Sequence, residues 1–207
     1  MNQHAPAMFI ADSTGLDFLN SIATPVDTPI DWISDGDGLL DWLGQANLVP
    51  GEALRAIKRG AKPGDLDKVA GQARDLREWF RGFVRKHMGR RLAPRALREL
   101  EPLNRLLESD ETFKQLVHRQ DKDDDHLELR EMRRWRTPES LLLPIGEALA
   151  RFACEENFVD VKACEGAICT LMFVDHTHRK ARRWCSMAVC GNRAKQAAHR
   201  DRLKNKG

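Results

Sequence analysis

From the start of the chain to about residue 160, apolar side chains recur at helical spacing between short polar loops. Residues 13–22 place Leu16, Leu19 and Asn20 on one face with Phe18 and Ile22 beside it, predicting a short helix that Asp12 or Ser13 can cap. A second helix is expected over 36–47, buried through Leu39, Leu40, Trp42 and Leu43 and stopped at Asn47. Pro50, tolerated in a first turn, opens a third over 51–59. The longest helix is expected at 64–88, where Leu66, Val69, Ala70, Ala73, Leu76, Phe80, Phe83, Val84 and His87 make a broad apolar face. Lys68, Arg74, Asp75, Arg77, Glu78 and Arg85 lie opposite that face. Residues 94–108 carry leucines for a further helix, interrupted or kinked at Pro102. Period-two alternation in Leu127-Glu128-Leu129 then marks a hairpin of 113–119 with 126–134 around the acidic turn Asp121–Asp125. A last large helix is expected from Thr137-Pro138 to about Val161, regular from Pro144.

Beyond residue 160 the helical rhythm stops and cysteines take over. Cys164-x4-Cys169 and Cys185-x4-Cys190 form two equal pairs. Between them, Leu171–Val174 and Arg182–Ser186 read as strands joined by the polar tip Asp175–Ala181, and a Gly191-led run to Lys206 has helical composition. Thiolates bind zinc well, and four of them close a tetrahedral shell. So short a unit has little core of its own and needs a staple, which a metal supplies. A disulfide pairing is the alternative, but CxxxxC pairs in a chain without an export signal more often hold metal. Four sulfur ligands leave no position for water or substrate, so the metal reads as structural and no enzymatic activity is expected. The fifth cysteine, Cys154, reads as a small buried side chain of the helix RFACEENF. Asp35-Gly36-Asp37-Gly38 reads as a helix cap, since the glutamate that closes a calcium loop is missing.

Composition adds two exclusions and one direction. With 42% hydrophobic and 31% charged residues the 207-residue chain is ordinary globular protein, without an apolar run of the roughly 20 residues that span a bilayer. The start, MNQHAPAMFIADS, lacks the basic region and apolar core of a signal peptide, and a cytoplasmic protein is expected. The net charge of +3 hides a gradient: residues 1–54 carry −8, residues 55–174 carry +3 and residues 175–207 carry +8. A basic tail of that strength points to an anionic partner.

The residues also resemble a known family. Arg182-Arg183-Trp184-Cys185-Ser186-Met187, then Cys190-Gly191-Asn192-Arg193 and Lys195, is similar to the CGNR zinc finger, and Leu16-Asp17-Phe18-Leu19-Asn20 with Leu40-Asp41-Trp42-Leu43 resembles the ABATE domain that precedes it. The resemblance implies a DNA-binding, stress-induced transcription regulator of the bacterial cytoplasm. The expected architecture is mainly α with a small β-hairpin: a helical domain over 1–160, then a treble-clef-like zinc finger with a basic C-terminal helix over 161–207.

Within that frame Cys164, Cys169, Cys185 and Cys190 are expected to hold Zn2+. Arg182, Arg183, Asn192, Arg193, Lys195, Arg200, Arg202 and Lys204 are expected to contact nucleic acid, mostly phosphate, with Asn192 and Arg193 near base edges. The alternatives are a solvated C-terminal helix, and a Gly191-Asn192 pair that serves only the metal turn. His176 and His178 read as solvated or phosphate-contacting residues of the polar tip, with Asp175 beside them, and Trp184 reads as core of the finger. Asp17, Asn20, Asp41 and Trp42 are candidates for a small-molecule pocket that would make the first domain a sensor; hydrogen bonding between helix ends is the other reading of Asp17 and Asn20. Since one finger supplies few base contacts, a homodimer is a reasonable expectation.

Overall fold

The computed structural model describes residues 6–24, 28–121 and 124–204. Its first helix, α1 (Thr14–Leu19), is short and buried along most of its length. A two-residue ladder, β1 (Ile22–Ala23) against β2 (Ile30–Asp31), leads to α2 (Gly36–Gln45), α3 (Gly51–Gly60) and the long α4 (Asp65–His87). A 3-10 segment at Pro94–Leu100 runs into α5 (Glu101–Glu108), and the antiparallel hairpin β3 (Thr112–Asp121) and β4 (Asp124–Arg133) follows. Another 3-10 turn, Pro138–Leu141, opens α6 (Leu142–Glu155). The last part holds β5 (Val161–Ala163), β6 (Met172–Val174), a π-helical turn at Met187–Gly191 and α7 (Asn192–Lys204).

The core forms where α1 packs between α4 and α6. Phe80, Phe83, Phe152 and Phe158 make a chain of ring contacts 5.1–6.0 Å apart, and Phe18 meets Trp42 edge-on at 5.5 Å. Gly15 permits the closest approach, since a Cβ there would stand 2.8 Å from the Ala148 carbonyl oxygen and 2.7 Å from the Phe152 Cβ. Any larger residue would push α1 off α6 and open the centre of the domain.

Helix boundaries follow local chemistry. Asp35 caps α2 by accepting the Gly38 N–H at 2.8 Å, and Asn47 ends the turn after α2 with φ at 54°. The helix expected over 94–108 breaks into a 3-10 segment and α5 at Leu100–Glu101, placing Pro102 in the first turn of α5, where its missing N–H costs nothing. The last large helix stops at Glu155 instead of Val161, because Asn157 caps a separate 3-10 turn and Val161 enters a strand. Cys154 is exposed, not buried. The acidic turn expected at Asp121–Asp125 falls partly outside the described residues.

Arg77 also departs from expectation. Placed on the solvent face by periodicity, it is buried, bidentate to Asp31 at 2.8 Å on both nitrogens, and bonded to the Ser21 hydroxyl. Its neighbour Arg81 donates to the Leu19 carbonyl at the end of α1. These two arginines fasten α4 to the segment that follows α1.

The four residues considered for a pocket are mostly used up in holding the fold. Trp42 is 1% exposed. Asp17 accepts the N–H groups of Ile10 and Ala11 at 2.9 and 3.0 Å. Asn20, 1% exposed, donates to the Met172 carbonyl at 2.8 Å and accepts the Met172 N–H at 3.0 Å. Only Asp41 faces solvent. The hydrogen-bonding reading of Asp17 and Asn20 is the one this geometry carries.

Asn20 satisfies an amide and a carbonyl of β6 across 152 residues of sequence. Asn20→Ala strands both in the interior, so a loss of about 2 kcal/mol in chemical denaturation is expected. Burial pushes the Asp17 carboxyl up to about 6 against its ordinary 3.8, although two backbone N–H groups pull the other way. The stability this group supports is fully present below pH 3.8 and is lost as pH rises through 6. Asp17→Asn keeps the acceptor oxygen without the ionisation, so the drop in melting temperature between pH 5 and pH 7.5 should shrink in the variant.

Candidate metal centre and basic helix

The first cysteine pair lies in the connection of a small hairpin. β5 pairs with β6, Val161 opposite Val174 and Ala163 opposite Met172, and the loop between carries Cys164 and Cys169. This differs from the expected pairing of 171–174 with 182–186, a stretch that forms no strand. The reason is visible at Asp175. It is fully buried, and it accepts the Arg182 N–H at 2.9 Å, the Thr177 N–H at 3.0 Å, the Thr177 hydroxyl at 2.6 Å and the Lys162 ammonium at 2.7 Å. Burial alone would raise its pKa; the hydrogen bonds, led by Lys162, hold it well below the usual carboxylate range. A backbone donor captured by a buried carboxylate is unavailable to a strand ladder, so 182–186 runs as a loop. Asp175 is thus a structural anchor of the finger and not part of a solvated tip.

The second cysteine pair sits at the start of the last helix. Cys185 precedes the π turn and Cys190 lies in it, just before Asn192 begins α7. A Cβ on Gly191 would come 2.4 Å from the sulfur of the flexible, half-exposed Met187 side chain, which would have to move aside. Asn192 donates its side-chain amide to the Ala188 carbonyl at 3.1 Å, serving the turn.

All four sulfurs lie within 4.8 Å of one another. Cys169 Sγ is 3.7 Å from Cys185 Sγ, which is 3.6 Å from Cys190 Sγ. A tetrahedron with ~2.3 Å metal–sulfur bonds has edges of about 3.8 Å, so the spacing is that of a zinc tetrathiolate. The backbone N–H groups of Gly166 and Cys185 point at Cys164 Sγ, at 3.4 and 3.3 Å, the arrangement that steadies a bound thiolate. Without a cation the sulfurs are incompatible as anions. Hydrogen bonding from Cys185 draws the Cys169 thiol down to about 5, while the same contact with Cys169 pushes Cys185 far up and burial lifts Cys190 to about 12. A dication at their centre lets all four ionise together, because its attraction for each sulfur outweighs the repulsion among them, and the centre keeps a net charge of −2. Among the described residues this is the one cluster of three or more potential metal ligands. His176 stands apart and pairs with Glu156 at 2.8 Å.

The basic residues expected at a nucleic acid divide into groups. Arg182 is turned inward: its guanidinium lies 4.2 Å over the Phe173 ring, donates to the carbonyls of Cys185 and Ile10 at 2.6 and 3.1 Å, and pairs with Asp12. It joins the second cysteine loop to the segment before α1 and is not free for phosphate. Arg183 is 60% exposed, pairs with Glu165 and covers the Trp184 ring at 5.0 Å. Together with Trp184, Lys195, His199 and Arg202 it borders one shallow cleft along α7. Arg193 and Arg200 border another on the opposite side, against Ile168 and Cys169. No acidic partner holds Arg193, Lys195, Arg200 or Arg202 among the described residues, and Lys195, Arg200 and Arg202 are exposed. Lys204 closes the helix, its side chain outside the described set.

Comparison with known families adds two matches. A family model for ABATE, described as "Putative stress-induced transcription regulator", matches residues 12–156, and one for the CGNR zinc finger matches residues 161–203. No individual curated protein matches the chain. With the finger's family and the sulfur geometry in agreement, the four cysteines are a zinc-binding centre.

One zinc per chain is expected by elemental analysis, with the visible spectrum of tetrahedral thiolate ligation when cobalt replaces it. Cys169→Ser or Cys190→Ser should leave clearly less than one equivalent bound. A chain that keeps full zinc in both variants would rule out this ligand set.

Proposed function

The chain belongs to the ABATE family, its last segment a CGNR zinc finger, and from that premise we propose that it regulates transcription by binding DNA through α7. The observation that carries this reading is the character of α7 itself. Its first turn is fixed by the cysteine centre, and among the described residues Arg193, Lys195, Arg200 and Arg202 stand on its two flanks without an acidic partner. A helix with that distribution buries little against its own domain. It suits the major groove, which admits one α-helix between two phosphate strands.

Arg183, Lys195 and Arg202 would face one strand, Arg193 and Arg200 the other. Arg182 and Asn192 take no part, being committed to the fold. Lys204 extends the run. At the metal itself the role is structural, because four thiolates leave it no open position. The zinc sets the angle and rigidity of α7, and the phosphate contacts set affinity. Among the described residues no helix is long and apolar enough to cross a membrane.

Anisotropy titration of zinc-loaded protein into labelled duplex should show binding that weakens steeply with salt. Each lost phosphate contact lowers the slope of log K against log salt by about 0.9, so Arg193→Ala/Arg200→Ala should flatten it by about 1.8. Arg182→Lys should alter thermal stability more than that slope. No binding at low salt overturns the proposal.

A further inference from the structure

The hairpin of β3 and β4 stands apart from the rest of the molecule. Its strands pair over ten residues each, from Thr112 opposite Arg133 to Asp121 opposite Asp124. They form a sheet of two, so neither outer edge has a strand neighbour among the described residues. The base is fixed by Arg133, bound to Asp110 at 2.6 Å and Glu147 at 2.8 Å. Beyond that base, Leu116, Leu127 and Leu129 are 66, 69 and 61% exposed. Leu116 faces Leu129 in the ladder and Leu127 lies two residues along, so all three share one side of the ribbon. An isolated two-stranded ribbon is marginal in water, and proteins usually blunt such edges.

We propose that β4 pairs edge to edge with β4 of a second copy, antiparallel about a two-fold axis at Leu129. This register leaves Leu129 against Leu129 of the second copy and sets Glu128 opposite its Arg130, twice over by symmetry. Opposite charges at directly facing positions favour the pairing. Within each chain Arg130 already approaches Glu128 at 2.8 Å, so the two side chains sit on the same side of the strand, ready for the cross-pair. Because Leu116 faces Leu129, the four-stranded sheet carries leucines 116, 129, 129 and 116 in one row across it, a continuous apolar strip that neither copy has alone. The edge of β3 offers no such match. Pairing about Leu116 sets Lys114 opposite His118 and Gln115 opposite Val117. DNA is the weaker occupant for the ribbon: residues 112–133 hold five Lys or Arg against six Asp or Glu, four of the acids at the tip.

The test uses the full zinc-loaded chain in sedimentation equilibrium. The wild type should dimerise at micromolar concentration. Glu128→Arg and Arg130→Glu each set like charges opposite each other and should weaken the dimer about tenfold or more. An equimolar mixture of the two variants restores both pairs and should dimerise like the wild type. Circular dichroism and zinc content, unchanged in both variants, separate lost pairing from lost folding. A wild type that stays monomeric at 100-fold higher concentration, a dimer indifferent to both charges, or no rescue on mixing would overturn the inference. Loss of DNA affinity in these variants with the mass unchanged would overturn it too, by making the ribbon a nucleic-acid contact.

Discussion

Four sulfurs held within 4.8 Å of one another can all ionise only with a cation among them. As neutral thiols they make weak contacts, and as thiolates they repel. With zinc among them, the same crowding becomes the tie that closes two loops at once. The β5–β6 connection and the π turn ahead of α7 have no extended hydrogen-bond ladder between them, so the metal fixes their relation. The direction in which α7 leaves the protein, and every basic side chain it carries, follows from this one centre.

The centre is not isolated from the helical domain. One hydrophobic cluster continues from α1, α4 and α6 through Val161, Leu171, Met172 and Phe173 to the cysteines. Three polar ties cross the same boundary: Asn20 on Met172, the Val174 N–H on the Ala11 carbonyl, and Arg182 on Ile10 and Asp12. Two of these use groups near Asp17, whose own carboxylate organises the backbone at Ile10 and Ala11. Metal loop, buried strand and the segment before α1 therefore constrain one another.

The strongly periodic parts of the chain were legible. α4 appears at 65–87 where the apolar stripe ran over 64–88, and the ribbon appears where Leu127-Glu128-Leu129 alternated. The cysteine pairs, equal in spacing and alone in that region, carried both metal and ligand set. What periodicity misses is the work of buried polar groups. Arg77 reads as solvent-facing until Asp31, held opposite Ile22 in the β1–β2 ladder, gives it a partner. Asp175 reads as part of a polar tip, yet it collects four donors and redirects a strand. Arg182 has the same charge as Arg183, and the Phe173 ring beneath it, the carbonyls of Ile10 and Cys185 and the Asp12 carboxylate set their fates apart. The local signal available was Thr177, two residues on, which gives the carboxylate both its N–H and its hydroxyl; the Lys162 ammonium and the Arg182 N–H reach it only through the fold.

The ties of β6 bear on how such a protein can be assembled over evolutionary time. A finger moved alone into another chain would arrive with the Met172 amide and carbonyl and the Val174 amide lacking their counterparts, and with Arg182 stripped of Ile10 and Asp12. Residues 10–20 supply those counterparts, from the other end of the sequence. The heritable unit of exchange is thus discontinuous, two distant stretches that must travel together, and recombination at the boundary near residue 160 would separate them.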